Sequence, residues 1–337
     1  MIALDWGAKF IKACAVSAKG DGKYIVYASM ISADGKNGER EENPLLLKNK
    51  VDTLLRQLRI KDKETSLSIG GIDLLARDFS LPKMSPENIE GAVMIEAENS
   101  IFETLDDMYS DYEILSNSDA DKMDVLFIAF PKDHINHILG SFSQSELDIV
   151  GIVPDNIALA NCFLAFEAKR AFSESVVLVN IGHEVSNIAI IDRGELKFIR
   201  NMYFGGLDVT REIAEIYEVD LNTAEQIKRQ PELWESMGLN IRNILKKSSS
   251  NLLEAIFHSM EYAVSRQRIG KVDKILLTGG GAILTGIENF IYETLGVNTE
   301  KWNPLTSSDI IGATDKEKGF FIAVALGLAL QKGESNV

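Results

Sequence analysis

Three short stretches of the sequence carry residue types suited to handling phosphate. Asp5-Trp6-Gly7 and Asn180-Ile181-Gly182 each place a short polar side chain two residues ahead of a glycine at the end of an apolar run. Thr278-Gly279-Gly280-Gly281 ends a third apolar run in three glycines. Glycine lets backbone N–H groups approach an anion with no Cβ in the way. Taken singly, each stretch serves equally well as a hairpin turn or a tight strand-to-helix connection. Their order along the chain favours a clamp around a polyphosphate: hairpin, intervening segment, second hairpin, helical segment, triple glycine. His183, at the second tip, is either a phosphate contact or a polar turn residue. His134 and His137 share a helix face with no third ligand evident, so they read as a solvated pair and not as a zinc site. Cys14 and Cys162 have no spacing that suggests a disulfide framework, zinc or redox chemistry.

The elements that must carry these residues read as a repeat. Strands at 2–4, 10–17 and 24–31 are separated by a Gly7 turn and by Gly20-Asp21-Gly22. Strands at 176–179, 186–192 and 196–200 are separated by a Gly182 turn and by Arg193-Gly194. A unit repeated at opposite parts of the chain predicts two similar lobes with their hairpin tips facing one another. Between the copies, strands at 65–69 and 74–81 lead to Ser85 as an N-cap with Pro86 at the first helical position, starting a helix to about Glu103. Strands at 108–115 and 124–130, a helix from Pro131 to about Ser145 and a strand at 148–153 complete a small α/β subdomain inserted in the first lobe. The second half is more helical. Helices are predicted over 207–218 and 222–229, a long one over 240–268 with Ser248-Ser249-Ser250 on its polar face, another over 282–295 and a terminal apolar one over 319–330. The expected divisions are a first lobe over 1–70, the insert over 71–150, a connecting helix over 151–175, a second lobe over 176–318 with its helical subdomain over 206–271, and a C-terminal helix and tail over 319–337.

Composition narrows the function classes. Lys plus Arg is 35 against 50 for Asp plus Glu, a net charge of −15 that opposes the field of nucleic acid and of anionic lipid. The N-terminal residues show no basic segment followed by an apolar one, and no apolar stretch approaches the roughly 20 residues needed to cross a bilayer. The expectation is a cytoplasmic protein with no nucleic-acid partner and no membrane anchor of its own.

The order of these motifs resembles the actin-like ATPase superfamily over nearly the whole chain. Asp5-Trp6-Gly7-Ala8-Lys9-Phe10-Ile11-Lys12 is similar to its first phosphate motif. The resemblance implies that Asp5 acts near a magnesium ion, directly or through water, and that Lys12 reaches the phosphates; a solvated strand lysine is the other reading of Lys12. Asn180-Ile181-Gly182-His183 is similar to the second phosphate motif, in which an aspartate is expected where Asn180 stands. Asparagine keeps the shape and loses the charge, so the resemblance implies nucleotide binding more strongly than rapid hydrolysis. Phe204-Gly205-Gly206 resembles the segment leading into the second lobe's helical subdomain. Glu225 and Lys228 match a helix whose acid and base lie near the nucleoside, with a surface ion pair as the alternative. Thr278-Gly279-Gly280-Gly281-Ala282-Ile283-Leu284 resembles the adenosine motif. Within the superfamily, Ile95 to Glu98 with Phe102, then Tyr109 to Leu115, then Val153-Pro154 with Ala158 to Ala160, and the terminal Ala325 to Leu330 resemble the PilM family of type IV pilus assembly proteins, relatives of FtsA. FtsA proteins usually end in an amphipathic membrane helix, and nothing after Leu330 is suited to be one. The resemblance implies a two-lobed, ribonuclease H-like duplicated α/β fold, ATP and Mg2+ as cofactors, and at most slow ATP hydrolysis. It implies docking of a short cytoplasmic peptide of an inner-membrane partner, PilN-like, against the first lobe and insert, and it leaves self-association open. The other readings are an FtsA- or MreB-like filament protein and a small-molecule kinase of the same superfamily.

Overall fold

The computed structural model describes residues 1–20, 22–35, 40–101, 104–116, 121–267, 269–311 and 316–330. Asp21, Phe102, Glu103, Arg268 and the tail 331–337, which carry parts of the expectations above, lie outside the described residues.

The chain opens with an antiparallel meander, β1 (Ile2–Trp6), β2 (Phe10–Ala18) and β3 (Tyr24–Ser32), followed by helix α1 (Pro44–Leu58) and by β4 (Glu64–Ile69), which pairs in parallel with β1. Helix α1 is not among the expected elements. Its signals are local: Asn43 Oδ1 accepts from the N–H groups of Leu45 and Leu46, Pro44 occupies the first turn, and Leu47, Val51 and Leu54 at helical spacing are buried. Next come β5 (Leu75–Pro82), α2 (Pro86–Ser100), β6 (Met108–Ser116) and β7 (Lys122–Pro131). These strands form a separate antiparallel sheet in the order β5-β7-β6, with a core that includes Val93, Ala97, Val125 and Phe127. Helix α3 (Lys132–Ser141) and strand β8 (Asp148–Pro154) then return to the first lobe. Ile138 joins the core around Trp6 and Ile69, and β8 pairs in parallel with β4. The part of the 71–150 segment with a sheet of its own therefore ends at Pro131.

Helices α4 (Asp155–Phe166) and α5 (Ala168–Ser173) lead into the second meander, β9 (Ser175–Ile181), β10 (Val185–Asp192) and β11 (Glu195–Tyr203). Four helices follow: α6 (Gly206–Tyr217), α7 (Leu221–Arg229), α8 (Ile241–Ser248) and α9 (Ser250–Ser265). The long helix expected over 240–268 is thus two. Ser249 is buried at the break, and its hydroxyl bonds back to the Leu245 carbonyl, a bond that competes with helix continuation. The chain closes with β12 (Lys274–Thr278), α10 (Ile287–Leu295), β13 (Asn298–Lys301), β14 (Ile310–Ile311) and α11 (Gly319–Ala329). The triple glycine passes into a 3-10 turn over Gly280–Ile283, and α10 begins only after Gly286, whose φ of +87° is a conformation glycine adopts without strain.

Duplication is visible in the strand orders. The first lobe runs β14-β3-β2-β1-β4-β8 and the second β11-β10-β9-β12-β13. Leaving out β14, each sheet has an antiparallel meander followed by two parallel strands. The central strands β1 and β9 read as nearly continuous apolar runs because both faces are covered, and each places a polar residue, Asp5 or Asn180, near its carboxyl end. That end is where open α/β sheets receive ligands. Between the sheets lie α4 and α11, which pack on each other; α11 lies against β1 and β2, and α4 against β10 and β11. Both are apolar around most of their circumference, as helices without a solvent face must be. Their approach is close: a Cβ on Gly327 would sit 1.7 Å from the Ala158 carbonyl oxygen. Gly327→Ala, which in an exposed helix would stabilise by about 1 kcal/mol, is expected here to destabilise by about 3 kcal/mol through overpacking. Urea unfolding of the two proteins measures the difference.

Candidate functional site

The two hairpin tips, the triple-glycine turn and the first residues of α4 enclose a cleft of about 800 Å³ between the lobes. Asp5, Gly7, Ala8, Lys9, Lys12, Asn180, Gly182, His183, Gly206, Glu225, Lys228, Gly279, Gly280, Gly281 and Leu284 all line it. Gly205 does not. It lies behind the second tip, where a Cβ would fall 2.1 Å from the His183 carbonyl oxygen, and it serves by letting α6 close on that tip. The Leu207 N–H donates to the same His183 oxygen at 2.8 Å and the Gly206 N–H to Gly182 O at 2.9 Å.

On the first-lobe side, the register of β1 and β2 sets Asp5 opposite Lys12, and Lys12 Nζ lies 2.7 Å from Asp5 Oδ2. Lys12 is therefore part of the cleft wall and not a solvated strand lysine. Lys9 pairs with Asp34 at 2.9 Å. Sequence reasoning missed the third member of this group, Asp155. It stands at the first turn of α4, against Gly70, where a Cβ would come within 2.3 Å of its Oδ2. The residue keeps some surface open to the cleft, but its Oδ1 is sealed from solvent and has no protein partner among the described residues. Burial, and then the charge of Asp5, push its carboxyl up to about 7, while a Ser68 hydrogen bond and Lys12 hold it down. The two acids thus compete for one cation. A Pro154-Asp155 pair opening an apolar helix was the sequence signal that could have found it.

On the second-lobe side, Asn180 occupies the register position of Asp5, and Asn187 that of Lys12. An amide pair, Asn180 Nδ2 to Asn187 Oδ1 at 2.8 Å, stands where the first lobe has an ion pair. The glycines of the third motif are dictated by this tip. A Cβ on Gly279 would lie 2.4 Å from Asn180 Oδ1, and one on Gly281 would lie 2.2 Å from Ile181 Cγ2. The N–H groups of Gly7 and Gly182 close turns onto the Phe10 and Val185 carbonyls, and that of Gly279 donates to the Phe320 carbonyl at the start of α11. Donors for an anion therefore come from the residues that follow these glycines, whose backbone the glycines allow to come close.

Glu225 and Lys228 bind each other at 2.6 Å, and Lys228 also donates to Gly206 O at 2.9 Å and to Thr210 Oγ1 at 2.8 Å. The pair is more than a surface bridge: it pins α7 to the start of α6 while lining the cleft. Burial lowers the Lys228 pKa despite Glu225, and burial likewise lowers that of His183, which leaves the imidazole neutral at pH 7. Val209, Ile283, Leu284 and Ile287 add an apolar part to the lining, suited to a flat aromatic ring. His134 pairs with Asp73 at 2.8 Å and His137 with Glu42 at 3.3 Å.

Two neighbouring carboxylates in such a cleft, Asp5 and Asp155 with its unpartnered Oδ1, fit magnesium, a hard cation that takes few protein oxygens and completes its shell with water and phosphate. A glycine-tipped clamp between duplicated ribonuclease H-like lobes defines the class: this is an actin-like ATPase fold. The family model described as type IV pilus assembly protein PilM matches residues 3–333, and the chain belongs to that family. Among solved structures it is similar to the PilM-PilN type IV pilus biogenesis complex, at 23% identity and TM-score 0.82, covering 98% of this chain and 97% of that one. The ethanolamine utilization protein EutJ from Carboxydothermus hydrogenoformans shares the fold at 15% identity and TM-score 0.52, over 98% of this chain and 88% of that one. The cell division protein FtsA of Borreliella burgdorferi is 26% identical over 227 residues, 59% of this chain and 54% of that protein. FtsA of Bacillus subtilis is 23% identical over 205 residues, 55% of this chain and 45% of that protein. The chain spans about half the length of these curated relatives. No helix among the described residues is long and apolar enough to cross a membrane.

Proposed function

We propose that the protein binds ATP with magnesium in the cleft and acts in type IV pilus assembly as a cytoplasmic component held at the inner membrane by a partner's cytoplasmic peptide. Family membership over residues 3–333 carries this reading, and the glycine-tipped cleft supports its nucleotide part. The partner part is drawn from the similarity to the PilM-PilN complex; we place the docking face on the first lobe and its insert, the part with an antiparallel sheet of its own. Magnesium, when bound, offsets phosphate charge. Asp5 would hold it, directly or through water, and Lys12 would move between Asp5 and a phosphate oxygen. Asp155 would take the proton of an attacking water. Asn180 offers an uncharged acceptor where a carboxylate would orient that water more strongly, so turnover is slow.

Calorimetry with ATP tests the first part. Asp5→Ala is expected to abolish the dependence of affinity on magnesium, and equal affinity of the unaltered protein with and without magnesium would contradict the assignment. Membrane fractionation after co-expression with a membrane-anchored PilN-like protein tests the second. Recruitment should require the partner and fall when insert surface residues are changed. The FtsA relatives favour a second reading, self-association into filaments, for which sedimentation with and without ATP is decisive.

A further inference from the structure

Asn180, Asn187 and Asn201 stand side by side across β9, β10 and β11, each the register partner of the next. Asn180 Nδ2 donates to Asn187 Oδ1 at 2.8 Å, Asn187 Nδ2 donates to Asn201 Oδ1 at 3.0 Å, and Asn201 Nδ2 donates to the carbonyl oxygen of Gly71. That last acceptor sets the direction of the whole row. A backbone carbonyl can only accept, so Asn201 must present its NH2 group to it, which leaves its oxygen for Asn187. The same constraint turns Asn187 and then Asn180, whose Oδ1 is left beside Gly279 in the wall of the cleft. The first lobe has no such row. Its equivalent positions hold the Asp5–Lys12 ion pair, and the next strand sets Met30 opposite Lys12, where the polar path stops.

The row ends at a particular place. Gly70 and Gly71 join β4 to β5, the first strand of the insert, and Gly71 has φ +119°, which leaves the joint free of side-chain restraint. Gly70 touches Asp155 on one side of this joint, and Gly71 receives Asn201 on the other. The joint from which the insert departs is therefore held by both walls of the cleft. Farther out, the insert meets the second lobe again where Asp78 on β5 accepts from the Tyr262 hydroxyl at 2.5 Å and from Gln267 Nε2 at 2.7 Å.

We propose that the asparagine row is a relay of fixed polarity through which nucleotide in the cleft sets the hold of the second lobe on Gly71, and so the position of the insert. The inference rests on the nucleotide-binding reading above and adds its regulation. A donor fixed at Asn180 Oδ1, such as a magnesium-bound water, polarises the amide, and each bond in an aligned chain strengthens the next. The insert follows because Asn201 grips its joint directly. A partner docked on the insert would then be bound differently in the ATP-loaded and empty states, by way of one row of side chains that bind no ligand themselves beyond Asn180.

The test is hydrogen exchange over residues 70–82 in the full chain, with and without magnesium-ATP, for the unaltered protein, Asn201→Asp and Asn201→Ala. Asn201→Asp keeps the shape and still accepts from Asn187 but cannot donate to Gly71, and Asn201→Ala removes both bonds. In the unaltered protein ATP is expected to slow exchange at the joint and β5 about tenfold. In both variants the slowing should shrink to less than about twofold, while calorimetry gives ATP affinities within about threefold of the unaltered protein. ATP binding that leaves exchange of the unaltered protein unchanged overturns the relay and spares the nucleotide reading. Full slowing in either folded variant does the same. Failure of the unaltered protein to bind ATP overturns both.

Discussion

In the nucleotide-free protein, Asp155→Asn is expected to raise stability at pH 7 by on the order of 3 kcal/mol while lowering ATP hydrolysis about a hundredfold. The stability effect follows from the carboxyl held at about 7 by burial and by Asp5. An acid whose pKa is higher folded than unfolded binds more protons in the native state. Its contribution is fully present below the unfolded value, about 4, and is lost as pH rises toward about 7. Three units correspond to about 4 kcal/mol; contact with cleft water through the open part of the residue reduces this to about 3. Urea unfolding from pH 4 to pH 8 without nucleotide should show the unaltered protein losing stability relative to the asparagine variant across that window, with the difference constant above it. Parallel profiles would mean that the two acids do not share a site in solution. Lost hydrolysis with gained stability is the pattern expected where a strained charge is kept for function.

Lys12→Met should do the reverse. Its ammonium is the cation shared by Asp5, at 2.7 Å, and Asp155, and the side chains of the Lys12–Asp5 pair are largely buried. Removing it leaves two acids facing each other without compensation, which costs about 3 kcal/mol in the apo protein. ATP affinity should also fall by at least about a hundredfold, or roughly 3 kcal/mol, from loss of a charge-assisted phosphate contact. A double-variant cycle separates the parts. With Asp155→Asn already present, Lys12→Met should destabilise by distinctly less, because one of the two acids is gone. Additive effects on unfolding free energy would show that Lys12 answers to Asp5 alone.

Much of the cleft was legible because its constraints are local. A glycine at a tip where a Cβ would meet a carbonyl oxygen three residues on, as at Gly182, or a polar residue ending a buried strand, as at Asp5 and Asn180, is written in a few consecutive residues. The repeat of meander and tip made the two lobes readable as well. Helix α1 escaped although its Asn43-Pro44 start is a local signal, because exposed Leu45 and Leu46 blur the apolar face that Leu47, Val51 and Leu54 define. The break at Ser249 escaped because its cause is the burial of that serine, which no spacing within α8 and α9 reveals.

The sequence by itself determined which residue types stand at the ends of the central strands, where glycine is obligatory, and which helices are apolar all round. These follow from period, propensity and the steric freedom of single residues. Only the tertiary structure decided what those residues meet. Asp155 became a member of the site because α4 starts where β4 ends, about 150 residues from Asp5 along the chain, and its carboxyl rises because that place buries it and sets Asp5 nearby. Lys12 became a wall of the cleft by register, and Glu225–Lys228 a pin between two helices by packing. Asn201 looks like any strand polar residue until three strands align and bring the Gly71 carbonyl to its amide. A side chain's partners across strands and lobes are set by the sum of all the packing, and that sum is not carried by any window of the sequence.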